Sequence, residues 1–315
     1  MYDLNLFTSY ELVSIVDGID DFRDKTIALE ISSYCDPELL KTVESAVSNA
    51  DFPDRVHIFI CYQDDDMDVL KKLCSYGCNV IHVPKNDAKG LGYARHLCSM
   101  YYSGEDYIHV TDSHMRFCKH WDTFAISEFE SCPAGPHVLS CYPPDYSKMK
   151  DAPVNDSFFD NLSVGYNMSF NRVSDDGFFV FVADSFTEGN LPSSGKFIAG
   201  GSLFAPGSFH SDVPYDPDMY FYGDEIAMGV RLWTHGYDIY APHRTWNWHL
   251  YSRSCTRFNR DQKNIESQLK ERDRIYSVFG VGNVDLGPYT IGSVRSLDDY
   301  EKMCGVNFRQ IMQYH

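Results

Sequence analysis

Over the first third of the chain, the period of apolar and polar positions switches repeatedly between that of a strand and that of a helix. Thr26-Ile27-Ala28-Leu29-Glu30-Ile31-Ser32 reads as a first strand. Asp36-Pro37-Glu38 then opens a helix, with Asp36 as N-cap and Pro37 at the first helical position. Leu39, Leu40, Val43, Ala46 and Val47 carry its apolar stripe to about Asn49. Arg55–Tyr62 is a second strand, Asp65–Tyr76 a helix ended by Gly77, and Asn79–Val83 a third strand. Gly90 and Gly92 precede a helix over Tyr93–Tyr102, and Tyr107–Thr111 is the fourth strand. Short joins between alternating strands and helices predict a parallel sheet with right-handed crossovers, an α/β fold.

The rhythm then loosens. Trp121–Glu130 reads as a helix and His137–Cys141 as a strand. From Pro143 to Gly195 the helical period is lost, and Asp, Asn, Pro, Ser and Phe dominate. Short strands at Asn167–Arg172 and Phe178–Ala183 would make a small antiparallel patch there, on the acceptor side of a site. Phe197–Phe204 is a short apolar segment around Gly200-Gly201, and a helix opens at Tyr222-Gly223-Asp224-Glu225 and ends near Gly236. Tyr237–Ala241 is a strand, and Asp261–Val278 and Ser296–Cys304 are helices. The pattern at Tyr10–Val16 predicts a short helix in an N-terminal extension, residues 1–25. No repeat or linker divides the pattern, so residues 1–315 read as a single domain, with residues 256–315 as its helical C-terminal region.

The fourth strand ends abruptly in Asp112-Ser113-His114. Open α/β sheets bind ligands at the carboxyl ends of their strands. In extended chain Asp112 and His114 project to the same side, and one oxygen plus one nitrogen ligand suits half a site for Mn²⁺ or a similar ion. On spacing alone, the triplet more often describes a strand end whose aspartate caps the next helix, with His114 packed nearby.

Composition narrows the classes. The net charge of -18 opposes a broad nucleic-acid footprint. The ten cysteines are scattered, some within apolar runs, and Met1-Tyr2-Asp3 does not begin a secretory leader. These features predict reduced, mostly buried thiols in a cytoplasmic protein. No apolar run approaches the roughly 18 residues of a membrane span. There is no G-x-G-x-x-G and no P-loop, which argues against dinucleotide binding and triphosphate hydrolysis.

A strand-borne acidic triplet in place of a glycine fingerprint points to a nucleotide-sugar site, where a divalent ion neutralises the leaving diphosphate. The strand followed by Asp112-Ser113-His114 resembles the metal motif of the GT-A polypeptide N-acetylgalactosaminyltransferases. More of the chain resembles the soluble hydroxyproline-directed N-acetylglucosaminyltransferases. The matching blocks include Ile31–Leu39, Gly92-Tyr93-Ala94-Arg95, Thr111–Phe117 with Trp121-Asp122, and Phe221–Ile226. They continue through Gly236–Pro242, Trp248-His249-Leu250-Tyr251 and Arg295–Tyr300, in the family's order. The resemblance implies a GT-A fold and a metal-dependent, retaining transfer of N-acetylglucosamine from a UDP-sugar donor to a hydroxyl acceptor. A protein acceptor is favoured over DNA, with no membrane partner.

By that resemblance Asp112, His114 and His249 hold Mn²⁺ or Mg²⁺. Without that resemblance, a lone histidine among aromatics such as His249 is more often a packed residue. Arg95 binds diphosphate or is a surface helix charge. Ser32, Ser33, Tyr34 and Asp36 lie where uracil and ribose would sit, although Asp36 also serves as a cap. Gly200 and Gly201 admit the donor sugar or make a tight bend. Asp224 and Glu225 hold sugar hydroxyls or orient the acceptor, at a helix start where acids are favoured in any case. Arg116 pairs with phosphate or a local acid. Three competing readings remain: transfer to a hydroxymethylated DNA base, a non-catalytic nucleotide-sugar-binding module, and a phosphoester hydrolase with a second carboxylate-rich metal cluster.

Overall fold

A computed structural model of the chain describes residues 22–252, Phe258 and residues 264–314. The helix expected at Tyr10–Val16 and the start of the one expected from Asp261 lie outside the described residues.

The strands are β1 (Ile27–Tyr34), β2 (Val56–Gln63), β3 (Asn79–Val83), β4 (Tyr107–Asp112), β5 (Met115–Phe117) and β6 (His137–Ser140). They continue with β7 (Tyr166–Val173), β8 (Phe179–Phe186), β9 (Ser193–Ser194), β10 (Ser202–Pro206), β11 (Asp238–Ala241) and β12 (Asn247–His249). The helices are α1 (Leu39–Asn49), α2 (Met67–Ser75), α3 (Leu91–Ser99), α4 (Trp121–Glu130), α5 (Phe209–Asp212), α6 (Asp224–Thr234) and α7 (Ile265–Val278). Two further helices follow, α8 (Leu297–Cys304) and α9 (Phe308–Met312).

Eight strands form one sheet in the order β3-β2-β1-β4-β10-β6-β11-β9. β1, β2, β3 and β4 pair in parallel, as strand–helix alternation predicts. β10 is an antiparallel member of this mainly parallel sheet: it runs antiparallel to both β4 and β6. The reversal follows from its connection, a loop and hairpin segment in place of a crossover helix. The expected antiparallel patch is present as the β7–β8 hairpin.

Alternation along β1 sends Ile27, Leu29 and Ile31 into an apolar layer with α1 and α4, and Ala28 into the opposite layer with α6. A third cluster joins the hairpin, α6, α7 and the C-terminal helices through Phe179, Ile226, Ile275 and Phe308. Gly77 stands at φ 79° just beyond α2, the left-handed stop its position predicts. Among the described residues no helix is long and apolar enough to cross a membrane.

Candidate active site

The carboxyl ends of β1, β2 and β4 open onto a cleft of about 400 Å³. β4 delivers Asp112 to its rim, and a bend through Ser113 and His114 leads into β5. β12 lies antiparallel to β5, with His249 opposite Met115. This two-stranded ribbon brings His249 to the fourth strand across more than a hundred residues of sequence.

Three ligand atoms therefore converge. His114 Nε2 is 3.0 Å from His249 Nε2, His249 Nε2 is 3.2 Å from Asp112 Oδ2, and His114 Nε2 is 3.6 Å from the same oxygen. Ligands about 2.1 Å from an octahedral ion stand about 3 Å apart when adjacent, so the triangle fits one face of such a site. Among the described residues this is the one group of three His, Cys, Asp or Glu at ligand spacing. Burial disfavours a charged Asp112, but His249, His114 and Arg95 outweigh it and hold the carboxyl well below the usual range.

Asp36 is placed against the triangle and not simply at a helix cap. Its Oδ2 lies 2.8 Å from His114 Nδ1 and accepts the Ser113 hydroxyl at 2.9 Å. Its Oδ1 accepts the Glu38 amide in the turn ahead of α1, which starts at Leu39 with Glu38 as its N-cap and not at Pro37 with Asp36 as the cap. A carboxylate facing Nδ1 keeps the proton there and leaves the Nε2 lone pair directed at the triangle.

Arg95 is no surface charge. It is 2% exposed, pairs with Asp224, donates to the Gly200 carbonyl at 2.5 Å and lies 3.9 Å from Asp112 Oδ1. Its guanidinium binds the site's own acids. Gly200 and Gly201 admit these side chains: a Cβ on Gly201 would collide with the Asp112 carboxylate, and one on Gly200 with Arg95. Both glycines still line the cleft.

The two acids at the start of α6 diverge. Asp224 is buried against Arg95; burial raises its pKa, and Arg95 opposes that. Glu225 lines the cleft, accepts the Gly200 amide at 2.8 Å and takes a long 3.5 Å contact from the Tyr142 hydroxyl. Burial pushes Glu225 up to about 7, against the Gly200 hydrogen bond and Arg95.

Of the other expected residues, Ser32 and Tyr34 line the cleft and Ser33 is buried beneath it. Arg116 is resolved to its local-acid reading: it is fully buried, paired with Glu38 and stacked on Tyr146 at 5.0 Å. The pattern of the sequence did not show that Tyr142, Phe179, Phe181, Phe221 and Tyr222 come together as one aromatic wall of the cleft. Nor did it single out Gln63, which ends β2 opposite Tyr34. A larger groove of about 1020 Å³, walled in part by Lys89, Lys270 and Arg274, holds none of the triangle.

The solved structure of GalNAc-T7 with UDP, GalNAc and Mn²⁺ is similar in fold, with a TM-score of 0.53 at 12% identity, over 92% of this chain and 56% of that one. TarS of S. aureus gives a TM-score of 0.50 at 11% identity, over 82% of this chain and 40% of that one. The chain thus spans about half the length of these structures. No curated protein sequence matches it. The likenesses fix the fold as GT-A. A family model described as glycosyltransferase (GlcNAc) matches residues 65–310, well over half of the sequence, and the chain belongs to that glycosyltransferase family.

Proposed function

We propose that the protein is a metal-dependent, retaining transferase that moves N-acetylglucosamine from its UDP-sugar to a hydroxyl on a protein. The observation that carries this reading is the triangle of Asp112, His114 and His249 at the edge of a cleft at the carboxyl ends of the strands. Two imidazoles and one carboxylate suit Mn²⁺ better than Mg²⁺, which favours oxygen alone. Bound there, the ion would neutralise charge developing on the departing diphosphate.

The chain's own groups do the rest. Asp36 orients His114. Arg95 neutralises Asp224 and steadies the Gly200 carbonyl, keeping the floor of the cleft rigid. Of the two acids, Glu225 is the one that meets substrate, because Asp224 is spent on Arg95. Glu225, Ser32 and the backbone at Gly200-Gly201 hold donor hydroxyls, while Tyr34 and Gln63 lie on the nucleoside side. The aromatic wall from the 143–195 region and the 221–222 turn excludes water from the sugar and seats the acceptor. Retention lets the acceptor attack from the leaving-group face, its proton passing to the departing phosphate, so no separate base is required. The extended resemblance to the hydroxyproline-directed enzymes favours a hydroxylated protein acceptor. Free thiols, most of them buried, suit a reducing cytoplasm.

Slow hydrolysis of the donor tests this reading without an acceptor. Incubated with a panel of UDP-sugars and Mn²⁺, the protein is expected to release UDP fastest from UDP-N-acetylglucosamine. Asp112→Ala and His249→Ala abolish that release while the metal-free melting temperature stays similar. Turnover that survives a chelator overturns the metal role.

A further inference from the structure

Asp224 and Glu225 meet Arg95 and Gly200 within the cleft, and the segment ahead of them is anchored further away. The segment 216–223 that leads to them runs between two helices. On one side, the amides of Leu91 and Gly92 at the start of α3 donate to the Tyr220 and Met219 carbonyls, each at 2.9 Å. A Cβ on Gly90 or Gly92 would collide with the backbone of this segment, so glycine permits the contact. On the other side lies α7. Arg274 donates through Nε at 2.9 Å and Nη2 at 2.7 Å to Asp216 Oδ2. Glu271 Oε1 accepts the amides of Phe221 at 2.7 Å and Gly223 at 2.8 Å. A Cβ on Gly223 would strike Ile275, so α7 packs directly on the residue before α6.

Glu271 is an expensive way to fill this space. It is fully buried, and its second oxygen has no hydrogen-bond partner among the described residues. For packing alone, an apolar side chain of similar volume would serve as well or better. What the carboxylate adds is direction: it fixes two amides immediately ahead of the α6 N-terminus.

We propose that Glu271 is a positioning residue for Glu225. By holding the Phe221 and Gly223 amides it sets the angle at which α6 begins, and with it where the Glu225 carboxylate meets the sugar. The inference rests on the reading of Glu225 as the acid at the substrate. A displacement of about 1 Å at such a group lowers rate by about a hundredfold.

The test uses the full chain, Glu271→Leu and Glu271→Gln, UDP-N-acetylglucosamine and Mn²⁺, at a temperature well below each melting point. Glu271→Leu is expected to lower kcat for UDP release about tenfold or more. Mn²⁺ affinity stays near wild type, because the proposed ligands sit on β4, β12 and the bend after β4. Glu271→Gln, whose amide oxygen accepts the same two amides, recovers most of kcat. Wild-type kcat in Glu271→Leu overturns the proposal. Amide exchange at Phe221 and Gly223 reads the clamp independently of turnover: faster exchange in Glu271→Leu supports it, and unchanged protection overturns it. A Glu225→Gln variant with wild-type kcat would instead sink the role given to Glu225, a different result from failure of the clamp.

Discussion

At the scale of single residues, the least visible participant is Asp36. In sequence it is an N-cap ahead of Pro37; in the fold α1 begins only at Leu39 with Glu38 as its N-cap, and one Asp36 oxygen accepts the Glu38 amide in the turn before it. The other makes it an outer partner of His114, at 2.8 Å from Nδ1. Spacing cannot show this, because 78 positions separate the two residues. Carboxylates that orient a ligating imidazole influence metal affinity roughly 10- to 100-fold. Asp36→Asn keeps the size and an oxygen for the Glu38 amide but gives His114 a neutral neighbour. It is expected to weaken Mn²⁺ binding by roughly 10- to 100-fold, read by calorimetric titration, with little change in melting temperature. Equal affinity in the two proteins would remove Asp36 from the metal site.

At the scale of elements, the geometry depends on holding β4 against the short β5–β12 ribbon. The strut is His109, fully buried three residues before Asp112. Its Nδ1 lies 3.2 Å from the Leu203 carbonyl of β10, and its Nε2 accepts the Trp246 indole N–H at 3.0 Å. Burial lowers its pKa to about 4, so it is neutral and can accept. His109→Leu fills the space but strands the Trp246 N–H, a loss of about 1–3 kcal/mol. Chemical denaturation is expected to show that loss, together with weaker Mn²⁺ binding as His249 shifts with Trp246. The same elements show what the sequence discloses. β1 to β4 have enough residues for their apolar period to be read, so the sheet and the position of Asp112 follow from it. β5 and β12 have three residues each, too few to show a period, and their pairing joins distant segments. His249 is therefore expected as a ligand through family resemblance and not through pattern. Gly200, Gly201, Gly90 and Gly92 stood out as glycines, but which backbone or side chain each one admits is settled only by the fold.

At the scale of the whole molecule, the net charge of -18 means self-repulsion grows as pH rises, and buried acids add a specific term. Burial pushes Glu271 from its ordinary 4.5 up to about 7, against the hydrogen bonds from Gly223, Phe221 and Tyr222 and with Asp224 adding to the rise. Glu225 moves in the same direction for the same leading reason. Between pH 4.5 and 7 the folded chain keeps a proton on Glu271 that the unfolded chain has released. Stability from this group is therefore fully present below about pH 4.5 and lost as pH rises through about 7. For Glu271 alone the difference amounts to roughly 3 kcal/mol. The metal-free protein is accordingly expected to unfold at lower urea at pH 8 than at pH 5.5. Glu271→Gln separates the two contributions, since it removes one titrating group and leaves the general repulsion nearly intact. Its stability should fall less over the same interval. A variant that loses as much stability as wild type between those pH values would show that Glu271 is already ionised in the folded protein.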